Sequence, residues 1–337
     1  MLLVLLEGLS TGIDRRVTVY EDRSGAELFV AQPGTRSFLG STSAIPSQVV
    51  DQVRALPSVT WVSRVRGFFS VQLIEGRRVP AYVVGYDAGS PGGPWSLVQG
   101  REPAADDEVV VASGLANRAG LAVGQTIALF GRPFTVVGVA GDADMFMASF
   151  VFMTHAATDA LLGSSGTTSF VLVGTDEPET AIRNIRGLGL HALTTSEIRT
   201  NDLALKGQAY TAGLRLILAV AFSVGTLVIA LTIYSTVMDR RREYGVVKAL
   251  GASGMQLGRL VLAQTLALAL AGLLVGLVLA ATGAAVIGWV RPQFAIVVTP
   301  QAVKQVVAMA LAMGVVAAVV PLRRLVDLPP AVAFAGG

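Results

Sequence analysis

Three stretches without a single Asp, Glu, Lys or Arg dominate the last 124 residues: Leu216–Met238, Leu260–Val290 and Gln305–Leu322, of 23, 31 and 18 residues. A helix needs about 20 apolar residues to cross a bilayer core. The first two runs therefore predict spanning helices and the third a marginal one. Buried core helices of a large soluble protein are the alternative. Three runs this close together, each ending in basic residues, argue against it.

Before Leu216 the hydrophobic period shortens and mixes. Ala26–Ala31 predicts a strand, and Val49, Val50, Val53 and Leu56 share one helical face behind Pro46. Phe68–Ile74 and Val79–Tyr86 flank a turn at Glu75–Arg78, which predicts a hairpin; Gln125–Phe130 and Phe134–Val139 predict a second around Gly131-Arg132-Pro133. Strands are expected at Glu108–Ala112, Phe150–Met153, Phe170–Val173 and near Leu190–Thr194. Short helices are expected at Gly114–Ala119, closed by Gly120, at His155–Leu162, and at Glu179–Leu188. Two β–α–β-like portions then flank a hairpin-rich middle.

Composition agrees with a membrane protein. Of 337 residues, 53% are hydrophobic and 15% charged, with a mean hydropathy of +0.62; soluble domains carry about 25% charged residues. Cysteine is absent and only His155 and His191 are present, which removes thiol chemistry and disfavours histidine-rich metal sites. The charge is uneven. Residues 1–213 hold 16 basic and 20 acidic side chains, and residues 214–337 hold 10 and 3. The basic excess sits beside apolar runs, so membrane-flanking charge explains it better than nucleic acid does.

Orientation follows from that excess. Arg240, Arg241, Arg242, Lys248 and Arg259 separate the first two runs, and Arg323 and Arg324 follow the third. The opposite side has Arg215, Arg291 and Lys304. Residues 239–259 and the C-terminus are thus expected in the cytoplasm, and everything before Leu216 outside it. Met1–Leu6 (MLLVLL) is apolar but too short to span and lacks a basic n-region. Its simplest reading is the outer end of a first span; the alternative is that Leu216–Met238 alone directs translocation.

No catalytic motif stands in its structural context. G-x-x-x-x-G-K-[ST] and H-E-x-x-H do not occur, and G-x-S-x-G occurs once, at Gly8-Leu9-Ser10-Thr11-Gly12, just after the apolar run Met1–Leu6 and without the strand–turn–helix setting of a nucleophile elbow. Gly163-Ser164-Ser165-Gly166 reads as a loop, Asp142 and Asp144 as a solvated turn, Asp106-Asp107-Glu108 as an acidic turn, and His155 as a surface or cap residue. The informative segment is Arg240-Arg241-Arg242-Glu243-Tyr244-Gly245-Val246-Val247-Lys248-Ala249-Leu250-Gly251. At 100° per residue, Val246, Leu250, Val247 and Tyr244 share an arc of about 160°. Gly251 can end the helix in the left-handed conformation, and Ser253 can cap the next one. A short cytoplasmic helix with an apolar arc and a basic collar suits a docking lever; an interfacial helix lying on lipid is the alternative. In the second run Gly272, Gly276, Ala280 and Ala284 recur every four residues, a spacing that lets membrane helices approach closely.

The segment R-R-R-E-Y-G-V-V-K-A-L-G-A-S resembles the coupling segment of the FtsX-like, MacB-type ABC transporter permeases. Gly100-Arg101-Glu102, Asp107–Val111, Leu115-Ala116, Gly120-Leu121, Val123–Ile127 and Phe134–Val139 resemble that family's extracytoplasmic domain. Pro321–Arg324 with Pro329–Phe334 resembles its terminal cytoplasmic motif. The resemblance implies an α+β extracytoplasmic domain of the MacB-like periplasmic core type, over residues 13–213. Residues 1–12 become the outer end of a first span, and residues 214–337 a three-span permease domain with a coupling helix at 239–253. It further implies a bacterial inner or plasma membrane location, a second permease copy, surrounding lipid, and room for a periplasmic adaptor. The chain itself would hold no cofactor; ATP and Mg would be bound by a cytoplasmic ABC ATPase subunit. Gln264 stands where relatives often carry an acid. Three functions compete: export of an amphiphile or lipid-like substrate, mechanical activation of an outer partner such as a cell-wall hydrolase, and a surface-binding module without an ATPase. The coupling segment argues against the third.

Overall fold

A computed structural model describes residues 2–41, 43–74, 76–207, 212–290 and 296–326. The chain forms two compact units: Ile13–Ala209, and Met1–Gly12 with Tyr210–Gly337. In order, the elements are α1 (Leu2–Val17), α2 (Val19–Arg23), β1 (Leu28–Ala31), β2 (Ile45–Pro46), α3 (Ser47–Arg54), β3 (Trp61–Ile74), β4 (Arg77–Tyr86), β5 (Leu97–Gly100) and β6 (Glu108–Ala112). Next come α4 (Ser113–Ala119), β7 (Thr126–Leu129), β8 (Arg132–Ala140), β9 (Asp144–Met145), β10 (Ala148–Thr154), α5 (His155–Leu162), β11 (Thr167–Thr168) and β12 (Phe170–Gly174). They are followed by α6 (Pro178–Gly187), β13 (His191–Thr194), α7 (Thr195–Lys206), α8 (Ala212–Asp239), α9 (Arg241–Ala249), α10 (Gly254–Val290) and α11 (Pro300–Val326).

The first unit is built on one mixed sheet, in the order β13-β1-β12-β3-β4-β10-β6-β8-β5, rather than on two separate β–α–β portions. β4 pairs β10, and β6 pairs β8, in parallel; the other neighbours along that order are antiparallel. Strand alternation divides the core. Phe29, Tyr82, Val84, Tyr86, Phe150, Phe152, Phe170 and Leu172 point to one face, where Tyr20 stacks on Phe38 with ring centroids 4.4 Å apart. Their neighbours point to the other face, under α3 and α6 at one end and α4 and α5 at the other. Each fully buried Phe, Leu or Val side chain contributes about 1.5–3 kcal/mol.

The second hairpin and the strands at 108–112, 150–153 and 170–173 lie where periodicity places them. The first hairpin is longer than its apolar alternation suggests: β3 has 14 residues, because Trp61–Val65 pairs with β12 while its second half pairs with β4. His155 corrects the sequence reading. It is buried as the first residue of α5, which Thr154 caps, and burial pushes its imidazole down despite Asp159 nearby. The acidic turn is partnered as well. Glu108 is held down to about 2 by the Arg101 guanidinium and the Ala104 N–H.

In the second unit, α8, α10 and α11 each contain a segment long and apolar enough to cross a membrane. The marginal third run belongs to a helix of 27 residues, because it extends back to Pro300. α10 has 37 residues, about 55 Å at 1.5 Å per residue, against a core of about 30 Å. Val4 of α1 is buried with Ala280 and Val306, so the first residues of the chain pack among the long helices. Pro329–Phe334 lies outside the described residues.

Candidate functional site

α9 follows α8 after a single non-helical residue, Arg240, at φ −99° and ψ 15°. Helical hydrogen bonds continue on both sides of it, from Arg240 N–H to Thr236 O and from Tyr244 N–H to Arg240 O, both 3.2 Å. Arg240, Arg241, Arg242 and Glu243 form an exposed collar. Beyond it the helix has two faces. Leu250 is 83% exposed, Val246 49% and Val247 43%, an unpacked apolar arc. Tyr244 is 5% exposed and Gly245 is buried, while Lys248 is half-buried and Ala249 exposed. Tyr244 is thus not part of the open arc that helical spacing assigned it to. At its edge, about 60° from Val247 by helical spacing, the ring turns inward and packs with Ile233 and Val237 of α8 and Leu257 and Val261 of α10. Its hydroxyl donates to Gln264 Oε1 at 3.2 Å.

The helix ends on Gly251 at φ +99°. Ala252 N–H donates to Val247 O at 3.2 Å and Gly251 N–H to Lys248 O at 3.1 Å, the paired bonds of a Schellman stop. Ser253 then opens α10: its Oγ accepts from Gln256 N–H, and its own N–H donates to Gln256 Oε1 at 2.9 Å, a reciprocal capping box. Gly251 and Ser253 were both legible in the sequence. Gly251→Val has open space for its side chain but a backbone that a β-branched residue resists. The expected result is loss of the stop, at a cost of about 1–3 kcal/mol, read as faster amide exchange at position 251 and Ala252 with α8 and α10 unchanged.

The small-residue stripe divides. Gly276 and Ala280 are buried, Ala280 against Val4 and Val306. Ala284 is half-buried, and Gly272 is exposed, with open space where a Cβ would stand. Elsewhere, Asp144 is not a solvated turn residue: it accepts from Gly114 N–H at 2.9 Å and from Ser149 Oγ, and lies 3.8 Å from Arg118. Ser164 sits in a loop, and its carbonyl accepts from Arg66 Nη1 at 3.0 Å. Among the described residues no group of three acidic or histidine side chains could hold a metal ion.

Sequence reasoning missed a second cluster, in the sheet-containing unit. Glu21 of α2 and Asp202 of α7 are both buried. Asp202 accepts from Ser37 Oγ and from the N–H groups of Phe38 at 3.0 Å and Leu39 at 3.4 Å. Neither Glu21 oxygen has a donor among the described residues. Burial first, and then the adjoining Asp202 carboxylate, push Glu21 well above the ordinary carboxylate range. Lys206 pairs with Asp14, and Arg199 with Asp22 at 3.6 Å, so α7 is tied to both α1 and α2. The sequence signal was Thr194-x-x-Glu197, a capping box that starts α7.

Residues 1–188 match the MacB-like periplasmic core domain, and residues 215–330 the FtsX-like permease C-terminal domain. The chain belongs to the FtsX/MacB-like permease family. It is 27% identical over 346 residues to an uncharacterized ABC transporter permease of Mycobacterium tuberculosis, covering 99% of this chain and 91% of that one. A Mycobacterium bovis permease, also uncharacterized, is 26% identical over 350 residues with the same coverage. The pyoverdine export ATP-binding/permease protein PvdT of Pseudomonas savastanoi is 28% identical over 229 residues, 63% of this chain and 34% of that protein. Among solved structures, the periplasmic region of MacB from Actinobacillus actinomycetemcomitans aligns with a TM-score of 0.40 and 12% identity, over 52% of this chain and 90% of that one. The extracellular domain of the transporter YknZ from Gram-positive bacteria gives 0.40 and 12%, over 50% and 100%. The FtsX/MacB-like permease is therefore a multi-pass cell-membrane protein with an extracytoplasmic domain, and an ABC transporter permease subunit.

Proposed function

We propose that this permease couples ATP hydrolysis by a separate cytoplasmic ABC ATPase to motion of its extracytoplasmic domain, for export of an amphiphilic or lipid-like substrate. The observation that carries the reading is the exposed apolar arc Val246–Val247–Leu250 on a short helix held at both ends. Three bulky apolar residues exposed together on the cytoplasmic side call for an apolar partner groove. The arginine collar beside them suits an anionic inner leaflet, and ATP and Mg would sit on the partner. An open apolar groove of about 630 Å³ in the helical unit, lined by the exposed side chains of Leu216, Ile217, Val220 and Val224 with Leu3 and Met313 among others, is compatible with an apolar cargo as it is with lipid.

The test is purification from native membranes in mild detergent, with identification of bound subunits and lipids. An ABC ATPase in stoichiometric amount is expected, with ATP turnover raised by the permease. Recovery without an ATPase would overturn the coupling reading. Recovery with an ATPase and a cell-wall hydrolase, but no lipid or amphiphile, would overturn the export reading.

Topology offers a second expected result. The chain has no cysteine, so single cysteines label cleanly. Ala88→Cys and Val298→Cys should react with a membrane-impermeant thiol reagent in intact cells, and Ser253→Cys only after lysis. Labelling of Ser253→Cys in intact cells would reverse the orientation.

A further inference from the structure

We propose that Tyr244 is a positioning residue: its hydrogen bond to Gln264 fixes the rotation of α9 against α10, so that force applied to the exposed arc moves α10 rather than merely turning α9. The proposal rests on the docking reading, because it takes the arc as the place where force enters. Chain connections hold α9 at both ends, through Arg240 and through Gly251–Ser253, but neither ties it to α10 beyond that helix's first turn.

The ring of Tyr244 supplies the missing constraint in two parts. Its apolar body lies against Ile233 and Val237 of α8 and Leu257 and Val261 of α10. Such contacts are non-directional and tolerate rotation. The hydroxyl, by contrast, has a directed partner, Gln264 Oε1 at 3.2 Å. Leu257, Val261 and Gln264 follow the i, i+4, i+7 spacing and line one face of α10. Tyr244 clusters with Leu257 and Val261 of that face and ends on Gln264, an exposed polar side chain within a charge-free run. A phenol packed this deeply needs a partner for its hydroxyl, and a side-chain amide on a membrane helix serves as interhelical glue. Val246, Val247 and Leu250 stay exposed on α9, open to a partner.

The test uses the full chain in vesicles of phosphatidylethanolamine and phosphatidylglycerol. Nitroxide labels are placed at Ala249→Cys on α9 and Ala263→Cys on α10, both exposed positions. A single narrow distance distribution is expected for the parent. Tyr244→Phe keeps the ring and loses the bond; Gln264→Leu removes the acceptor. Each should broaden the distribution, and the double variant should be no broader than either, since both remove the same interaction. In complex with the co-purified ATPase, each variant should bind as well as the parent while permease-stimulated turnover falls about three- to tenfold, the ratio of a hydrogen bond of ordinary net strength. Unchanged distributions in Tyr244→Phe, or additive effects in the double variant, would overturn the proposal. The docking reading fails on a different result: normal ATPase binding by Val247→Asp, which leaves the label distances informative about Tyr244.

Discussion

Val247→Asp is expected to leave the permease inserted and folded but to abolish stable association with its ATPase. Val247 is exposed and its removal opens no cavity. Within α9 the new carboxylate stands four residues after Glu243, a like-charge pair that costs only a few tenths of a kcal/mol. The large penalty arises on docking, where a carboxylate loses its water against an apolar groove. Several kcal/mol of unrelieved desolvation corresponds to about a hundredfold or more in affinity. Thr282→Ala is the control: its hydroxyl donates to the carbonyls of Val278 and Leu279 in its own helix, away from α9. Co-purification and titration of the ATPase read both variants. If Val247→Asp binds and stimulates like the parent, α9 is a helix lying on lipid, and the coupling site is elsewhere.

The short helix α9 and the turns at its ends were legible because their signals are local. Gly251 at a left-handed stop, Ser253 with Gln256 at a helix start, and arginines at the end of a span each act within a few residues. The long helices were legible because charge-free runs of their length have few other homes. What periodicity could not supply is which side of a helix finds a neighbour. Tyr244 lies at the edge of an apolar arc, and only the approach of α8 and α10 draws it inward. Gly272 and Gly276 are equivalent in the sequence pattern, yet only the second is buried. The sheet shows the same limit. Trp61–Val65 lacks clean alternation because it is paired to β12 and partly covered on both faces. Glu21 and Asp202 lie far apart in the chain, so no spacing rule connects them, and acidic residues on short helices read as solvated until tertiary packing buries them.

That buried pair carries the second large expectation. Glu21 belongs to the class of acids whose folded value is raised, so its neutral form is the one the fold prefers. The sign follows from linkage. Below the unfolded carboxyl range, Glu21 is neutral in both states and costs nothing. As pH rises through that range and on through the raised folded value, the unfolded chain gives up its proton first, and stability falls. Asp202 faces Glu21 from α7, Asp22 and its partner Arg199 lie beside them, Tyr20 and Tyr82 are packed close, and Lys206 is held by Asp14. Asp202 and Asp22 only add like charge, Arg199 and Lys206 are already paired with Asp22 and Asp14, and the Tyr20 and Tyr82 hydroxyls donate to Gly92 O and Phe38 O. Glu21→Gln should therefore raise the resistance of the sheet-containing unit to pulse proteolysis at pH 8, do less at pH 5, and flatten the slope between them. Asp202→Ala acts in the opposite direction at every pH. It orphans Ser37 Oγ and the Phe38 N–H, buried donors that each cost about 1–3 kcal/mol when unmet, so a loss of about 2–6 kcal/mol is expected. A Glu21→Gln chain that keeps the parent's pH slope would assign the titration to another group.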